Sequence, residues 1–180
     1  MVKRAREMEL MILSELMKDS RRSDRELAKQ LKMSQPTVSR IRNKLEKAGY
    51  IEEYTLIPNF TKLGYNLMAL TFIARAKEYA KQDVSTLFRE AQKWAIKTGF
   101  DTVMALRGMG LGYDAVILSF HESYTAFQER IKEIKQFPYI DVERIASFLV
   151  DLNDKVQYRP LTFATPADHL LTLKKTLATS

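Results

Sequence analysis

Apolar positions recur at helical spacing from early in the chain. Between Glu7 and Lys18, the residues Met8, Met11, Ile12, Leu13, Leu16 and Met17 form the stripe of an amphipathic first helix. A polar break, Asp19-Ser20-Arg21-Arg22, precedes Ser23 and Glu26, which have the spacing of a capping box. Leu27, Ala28 and Leu31 then supply the apolar face of a second, short helix. Lys32-Met33 reads as a turn. Ser34, with Pro36 two residues on, opens a third helix: the hydroxyl caps free amides, and a proline lacking its N–H costs little in a first turn. Gly49 is placed to end that helix after Ala48. Tyr50 to Ile57 has strand composition and stops at Pro58-Asn59, which predicts a small β wing.

From Asn66 the period changes. Leu67 to Ala74 is apolar on both alternating faces, as in a strand covered on two sides. Val84, Leu87, Phe88, Ala91, Trp94 and Ala95 recur at helical spacing up to Gly99, with Trp94 and Phe88 read as packing residues. Thr102 to Arg107 and Asp114 to Phe120 read as strands joined through Gly108-Met109-Gly110-Leu111-Gly112. A helix carrying Phe127, Ile131 and Ile134 follows, then a strand from Ile140 to Val150. The order is βαββαβ, in which both helices cover one face of a four-stranded sheet, so apolar residues on the other face need cover from a second subunit. Beyond an irregular stretch, Asp151 to Pro160, the pattern Thr165-Pro166-Ala167-Asp168 opens a last helix with Leu170, Leu171, Leu173 and Leu177. This tail is expected to pack on its own domain rather than to serve assembly. The predicted class is α+β: a winged helix-turn-helix over 1–60, a linker over 61–65, a ferredoxin-like domain over 66–150 and a C-terminal extension over 151–180.

Composition narrows the chemistry. With 46% apolar and 28% charged residues, 6 Gly and 5 Pro, the 180-residue chain has the make-up of a folded protein. It has no Cys, so no disulfide, thiolate nucleophile or cysteine-held metal is available. Its two histidines, His121 and His169, lie far apart and form no ligand pair; each reads as a surface or capping-region residue. No catalytic residues, metal or cofactor are expected. The charge-free stretch Leu63 to Ala74 is too short for a bilayer, which needs about 20 apolar residues. The basic start, Met1 to Arg6, leads into a charged amphipathic segment rather than a secretory core, so a cytoplasmic address is expected. Residues 1–50 hold 13 Lys and Arg against 7 Asp and Glu, whereas the other 130 hold 16 against 15. The net charge of +7 is therefore concentrated in one region, which suits a polyanionic partner.

Two short helices joined by a tight turn form a helix-turn-helix, whose second helix is built to enter the major groove of double-stranded DNA. At about 100° per residue, Val38, Ile41 and Leu45 share one side of that helix. The opposite side carries Pro36, Ser39, Arg40, Asn43 and Lys47, with Gln35 and Thr37 at the leading end. Arg can grip guanine O6 and N7, Asn and Gln match adenine, and hydroxyls reach bases or phosphates. Arg40 is read as a base contact and Lys44 and Lys47 as phosphate contacts. Arg42, more lateral, is either a phosphate or buttressing contact or a surface pair with Glu46.

The runs Ser34-Gln35-Pro36-Thr37-Val38-Ser39-Arg40, Leu45 to Ile51, Glu53-Tyr54-Thr55 and Leu63-Gly64-Tyr65 resemble the DNA-binding half of the leucine-responsive regulatory protein (Lrp/AsnC) family. The resemblance continues into the βαββαβ region, and Gly112-Tyr113-Asp114 is similar to that family's glycine turn and Asp before the third strand. It implies a transcriptional regulator that pairs through its sheets into a homodimer, or further into a tetramer or octamer. It also implies that Gly108, Gly110, Gly112, Tyr113 and Asp114 help line a pocket between subunits for a small effector such as an amino acid. The alternative for these glycines is a plain strand–strand turn needing positive φ. A phosphate cradle is disfavoured, since no helix follows and no Lys-Ser/Thr is present. Two other readings share the architecture: a tetrapyrrole (siroheme) decarboxylase, and a metabolite-sensing or assembly protein that has lost DNA binding.

Overall fold

Ile12, Leu27 and Val38, one from each of the first three helices, are wholly withdrawn from solvent. They mark where α1 (Val2–Lys18), α2 (Asp24–Leu31) and α3 (Gln35–Lys47) meet, in a core completed by Leu16, Ala28, Ile41 and Leu45. The computed structural model describes residues 2–79, 84–98, 101–156 and 161–176. The chain divides into two units: Met1–Ile57 together with Tyr158–Ser180, and Pro58–Gln157.

Local signals set the helix limits in the first unit. α1 starts at Val2, ahead of the expected Glu7, because Lys3, Arg4, Ala5 and Arg6 are all good helix formers. The capping box at α2 is complete: Ser23 Oγ accepts from the Glu26 N–H at 3.3 Å, and Glu26 Oε2 accepts from the Ser23 N–H at 2.7 Å. Lys32 ends α2 in the left-handed region, at φ +54°. At α3, Ser34 Oγ accepts from the Thr37 N–H at 3.3 Å. Gly49, at φ +71°, turns the chain away after Ala48, where a side chain would strain the backbone.

The expected β wing is not a strand. Residues 51–59 form no ladder, since strand composition yields a strand only where a second segment pairs with it. Side chains hold the segment instead: Tyr54 Oη donates to Glu46 Oε1 at 2.7 Å, and Ser20 Oγ donates to the Thr55 carbonyl at 3.1 Å. Burial and the bond to Glu46 push the Tyr54 phenol up to about 12.

The tail returns to this unit. α6 (Ala164–Thr176) starts ahead of the expected Thr165, with Thr162 Oγ1 accepting from the Ala164 N–H at 3.1 Å. It lies on α1. Ala167 has no exposed surface, Ser14 Oγ donates to the Ala167 carbonyl at 2.9 Å, and Lys18 Nζ stands 2.7 Å from Asp168 Oδ1. Leu170 and Leu171 are half-buried, while the side chains of Leu173 and Leu177 fall outside the described residues. The segment read as one extension, 151–180, is thus divided between the two units at 157/158.

The second unit contains β1 (Leu67–Arg75), α4 (Val84–Thr98), β2 (Thr102–Gly110), β3 (Tyr113–His121), α5 (Tyr124–Lys135) and β4 (Ile140–Asp151). Its four strands form an antiparallel sheet in the order β2-β3-β1-β4, as the βαββαβ pattern predicts. Alternation sorts the side chains by face. On one face Ile73, Ala115, Ile117 and Ile145 pack with Trp94 of α4 and Ile131 and Ile134 of α5. The side chain of Phe88 and the residue Gly99 lie outside the described residues. The other face carries Met68, Leu70 and Phe72, with Val116, Leu118 and Phe148 opposite them in register. Phe60 covers only one end of it, stacking on Phe120 with ring centroids 3.7 Å apart. Leu106 remains 54% and Phe148 63% exposed, an apolar surface that the described residues of this unit leave open.

Candidate nucleic-acid interface

The outer side of α3 is a shallow, open concavity lined by Pro36, Ser39, Arg40, Asn43, Lys44, Lys47 and Ala48. Its floor exists because Val38, Ile41 and Leu45 are buried on the opposite side and fix the rotation of the helix. Arg40, Asn43 and Lys47 are exposed and Ser39 is half-buried, so these donors and acceptors face outward along one strip. Gln35 is exposed at the helix start, outside that lining. Thr37 is engaged in the cap, its Oγ1 2.8 Å from Ser34 Oγ. Lys44 lines the concavity while its ammonium meets Glu9 Oε1 of α1 at 2.5 Å.

Arg42 is placed differently from its neighbours. Its Nη2 donates to the Arg22 carbonyl at 2.7 Å, and its Nε stands 2.9 Å from Asp24 Oδ1, as an ion pair short of hydrogen-bond geometry. It is the buttress between α3 and the start of α2. The intrahelical partner weighed for it, Glu46, accepts from Tyr54 instead.

Behind Arg42 lies a polar cluster that the sequence pattern did not indicate. Glu15, buried on α1, takes Lys18 at 3.2 Å and also Arg22; Gln30 of α2 donates to the same carboxylate and accepts from Arg22. Burial pushes the Glu15 carboxyl up, but Lys18 and Arg22 outweigh it, and the net displacement is below the ordinary 4.5. Lys18 is raised above its ordinary value, by Asp168 first and then Glu15.

The glycine cluster of the second unit proves to be a hairpin. β2 runs through Gly108 to Gly110, and only Leu111 and Gly112 form the turn, at φ +52° and +80°, as a two-residue hairpin connection requires. The five-residue joint expected from the sequence is thus mostly strand. Asp114 Oδ2 accepts from the Arg75 N–H at 2.8 Å, Arg144 Nη2 donates to the Gly112 carbonyl, and the Tyr113 ring lies against Phe72. These partners all belong to the sheet itself.

His121 is buried, contrary to the surface position expected at a strand end. Its Nε2 lies 2.8 Å from Ser119 Oγ and its Nδ1 3.1 Å from Asp101 Oδ2. Ser119 and His121 are 2% and 3% exposed, so the hydroxyl is not presented to a substrate. Burial lowers the imidazole pKa, against the pull of Asp101 and with some help from Arg130, which keeps the ring neutral near pH 7. Among the described residues no group of His, Asp and Glu could hold a metal ion, and His169 is exposed in the first half of α6.

Residues 6–52 match a family model described as winged helix-turn-helix DNA-binding, which gives the class of the first unit. The LrpA transcriptional regulator of Pyrococcus horikoshii is 32% identical over 102 residues, 56% of this chain and 72% of the relative. The structure of Bacillus subtilis LrpC superposes with a TM-score of 0.64 at 26% identity, covering 84% of this chain and 96% of that one. A crystal structure of the Neisseria meningitidis transcriptional regulator NMB0573 in complex with L-Met shares the fold at a TM-score of 0.72 and 20% identity, over 91% and 97% of the two chains. The chain belongs to the Lrp/AsnC family. It spans 40–44% of the length of the first curated relatives it matches.

Two outcomes follow from the contacts of Arg42 and Glu15. Arg42→Ala lowers the stability of the first unit by about 1–3 kcal/mol in denaturant unfolding, since it strands Asp24 and the Arg22 carbonyl, and leaves the salt dependence of DNA affinity unchanged. Because the folded pKa of Glu15 is depressed below 4.5, its contribution is complete above about pH 4.5 and is lost as pH falls through the folded value. Unfolding midpoints measured from pH 6 to pH 3 therefore decline, and Glu15→Gln removes part of the decline.

Proposed function

We propose that this chain is a non-enzymatic, sequence-specific transcriptional regulator acting on double-stranded DNA in the cytoplasm. The observation that carries the reading is the outward polar strip of α3, with Arg40, Asn43 and Lys47 free of the protein core and Ser39 beside them. Arg40 and Asn43 read base edges, while Lys47 and, on release from Glu9, Lys44 meet phosphates. Gln35, Pro36 and Thr37 bring the N-terminal end of α3 towards the groove, and Arg42 serves as the buttress. The decarboxylase reading would require these groove-reading side chains to be dispensable, and they are retained in a single strip.

The working form is a homodimer, assembled further into a tetramer or octamer, with the apolar sheet face around Leu70, Phe72, Leu106 and Phe148 as the pairing surface. A twofold particle presents two α3 helices at a spacing of about 34 Å or a multiple, so the operator is a near-palindrome. A small effector such as an amino acid, as in the L-Met complex of the Neisseria protein, binds where the hairpin of Gly108, Gly110, Gly112, Tyr113 and Asp114 meets a neighbouring subunit. It acts by preferring one assembly over another. Selection of bound duplexes from a random pool at two salt concentrations tests the core of this reading, and recovery of no common motif overturns it.

Arg40→Ala is expected to cost about 1–3 kcal/mol on the selected site and much less on random duplex, read by fluorescence anisotropy. Lys47→Ala weakens both and makes the salt slope shallower by about one unit. Phe148→Glu places a charge on the pairing face, and sedimentation velocity should then show a monomer where the unmodified chain is a dimer or larger.

A further inference from the structure

The C-terminal helix is chemically joined to the reading helix by a continuous set of contacts. Ala167 is pressed against α1 with no exposed surface, and the buried Ser14 hydroxyl donates to its carbonyl. One turn further along α1, Asp168 holds Lys18, whose ammonium also binds Glu15. Glu15 in turn grips Arg22 and Gln30, fixing the α1–α2 turn and α2 together. The Arg22 carbonyl then accepts Arg42 of α3. Each link is a direct contact within one unit, and the two ends of the path are 126 positions apart in sequence, at Arg42 and Asp168.

We propose that α6 is a working fourth helix of the DNA-reading unit, and that Glu15 is the positioning residue through which its docking on α1 holds α3 in place. The proposal rests on the DNA-binding reading only for its consequence at the operator. The mechanical part concerns the free protein. With α6 docked, Lys18 is held from two sides and Glu15 has a fixed set of donors; with α6 released, Glu15 loses an anchored partner and the Arg22 segment that receives Arg42 gains freedom. Ser14 would also exchange a fixed acceptor for solvent or its own helix.

Amide hydrogen exchange on the full chain tests this without DNA. In Ala167→Arg, whose side chain cannot fit against α1, amides of α6 should exchange at least about tenfold faster, and amides of Ile41 to Leu45 in α3 should accelerate with them. Should that variant fail to fold, Asp168→Lys, at an exposed edge of the contact, weakens the same docking by repelling Lys18. In Glu15→Ala the α3 amides should accelerate while those of α6 stay protected, and Glu15→Gln should recover part of the α3 protection. Release of α6 with α3 exchange unchanged overturns the proposal, as does an α6 that exchanges like open chain in the unmodified protein. On duplex DNA, Ala167→Arg should bind a selected site about 2- to 30-fold more weakly than the unmodified chain. Failure of the unmodified chain to bind any duplex would overturn the regulator reading instead, and the exchange of α3 would still decide the role of α6.

Discussion

The burial of Val38, Ile41 and Leu45 is the constraint on which the interface depends. A helix that must insert these three side chains between α1 and α2 has no freedom to rotate, and its far side is thereby assigned to Ser39, Arg40, Asn43 and Lys47. Hydrophobic packing alone would leave the helix free to slide and tilt. The directional contacts of Arg42 with Asp24 and the Arg22 carbonyl remove that freedom. Removing one partner of this largely buried pair leaves the other uncompensated, so the contact both fixes α3 and adds to the stability of the first unit.

The second unit obeys a different limitation. Two helices can cover only one side of a four-stranded sheet, and the polar pairs on that covered side, Thr71 with Ser147 and His121 with Ser119 and Asp101, are satisfied within the unit. The other side is mostly apolar, with Leu70, Phe72, Leu106, Val116, Leu118 and Phe148 along it and the Asp114 and Arg144 contacts near the hairpin end. That apolar area is what the proposed pairing of subunits would withdraw from water.

Much of this was readable in the sequence where the governing interactions are local. The three first helices, the outward polar strip of α3 and the βαββαβ order follow from short-range periodicity and capping, which act over three or four residues. Arg42 was ambiguous because its partner Asp24 lies on another helix and obeys no helical spacing. The segment after α3 is extended but not a strand for a related reason: Tyr50 to Ile57 has strand-forming residues, and among the described residues no segment pairs with it in a ladder. His121 looked terminal in sequence, yet it shares its sheet face with Ser119, beneath Phe127 of α5. The return of α6 was the least legible feature, since Ser14 and Ala167 are separated by nearly the whole chain and neither residue type signals the other.

That return has a consequence for how the protein is made. Synthesis runs from the N-terminus, and the reading unit lacks its last helix until residues 164–176 leave the ribosome tunnel. The nascent chain can form the sheet unit before the unit that precedes it in sequence is complete. The first unit is therefore completed only after the second has been synthesised, and a chain truncated before residue 164 lacks the helix that packs on α1.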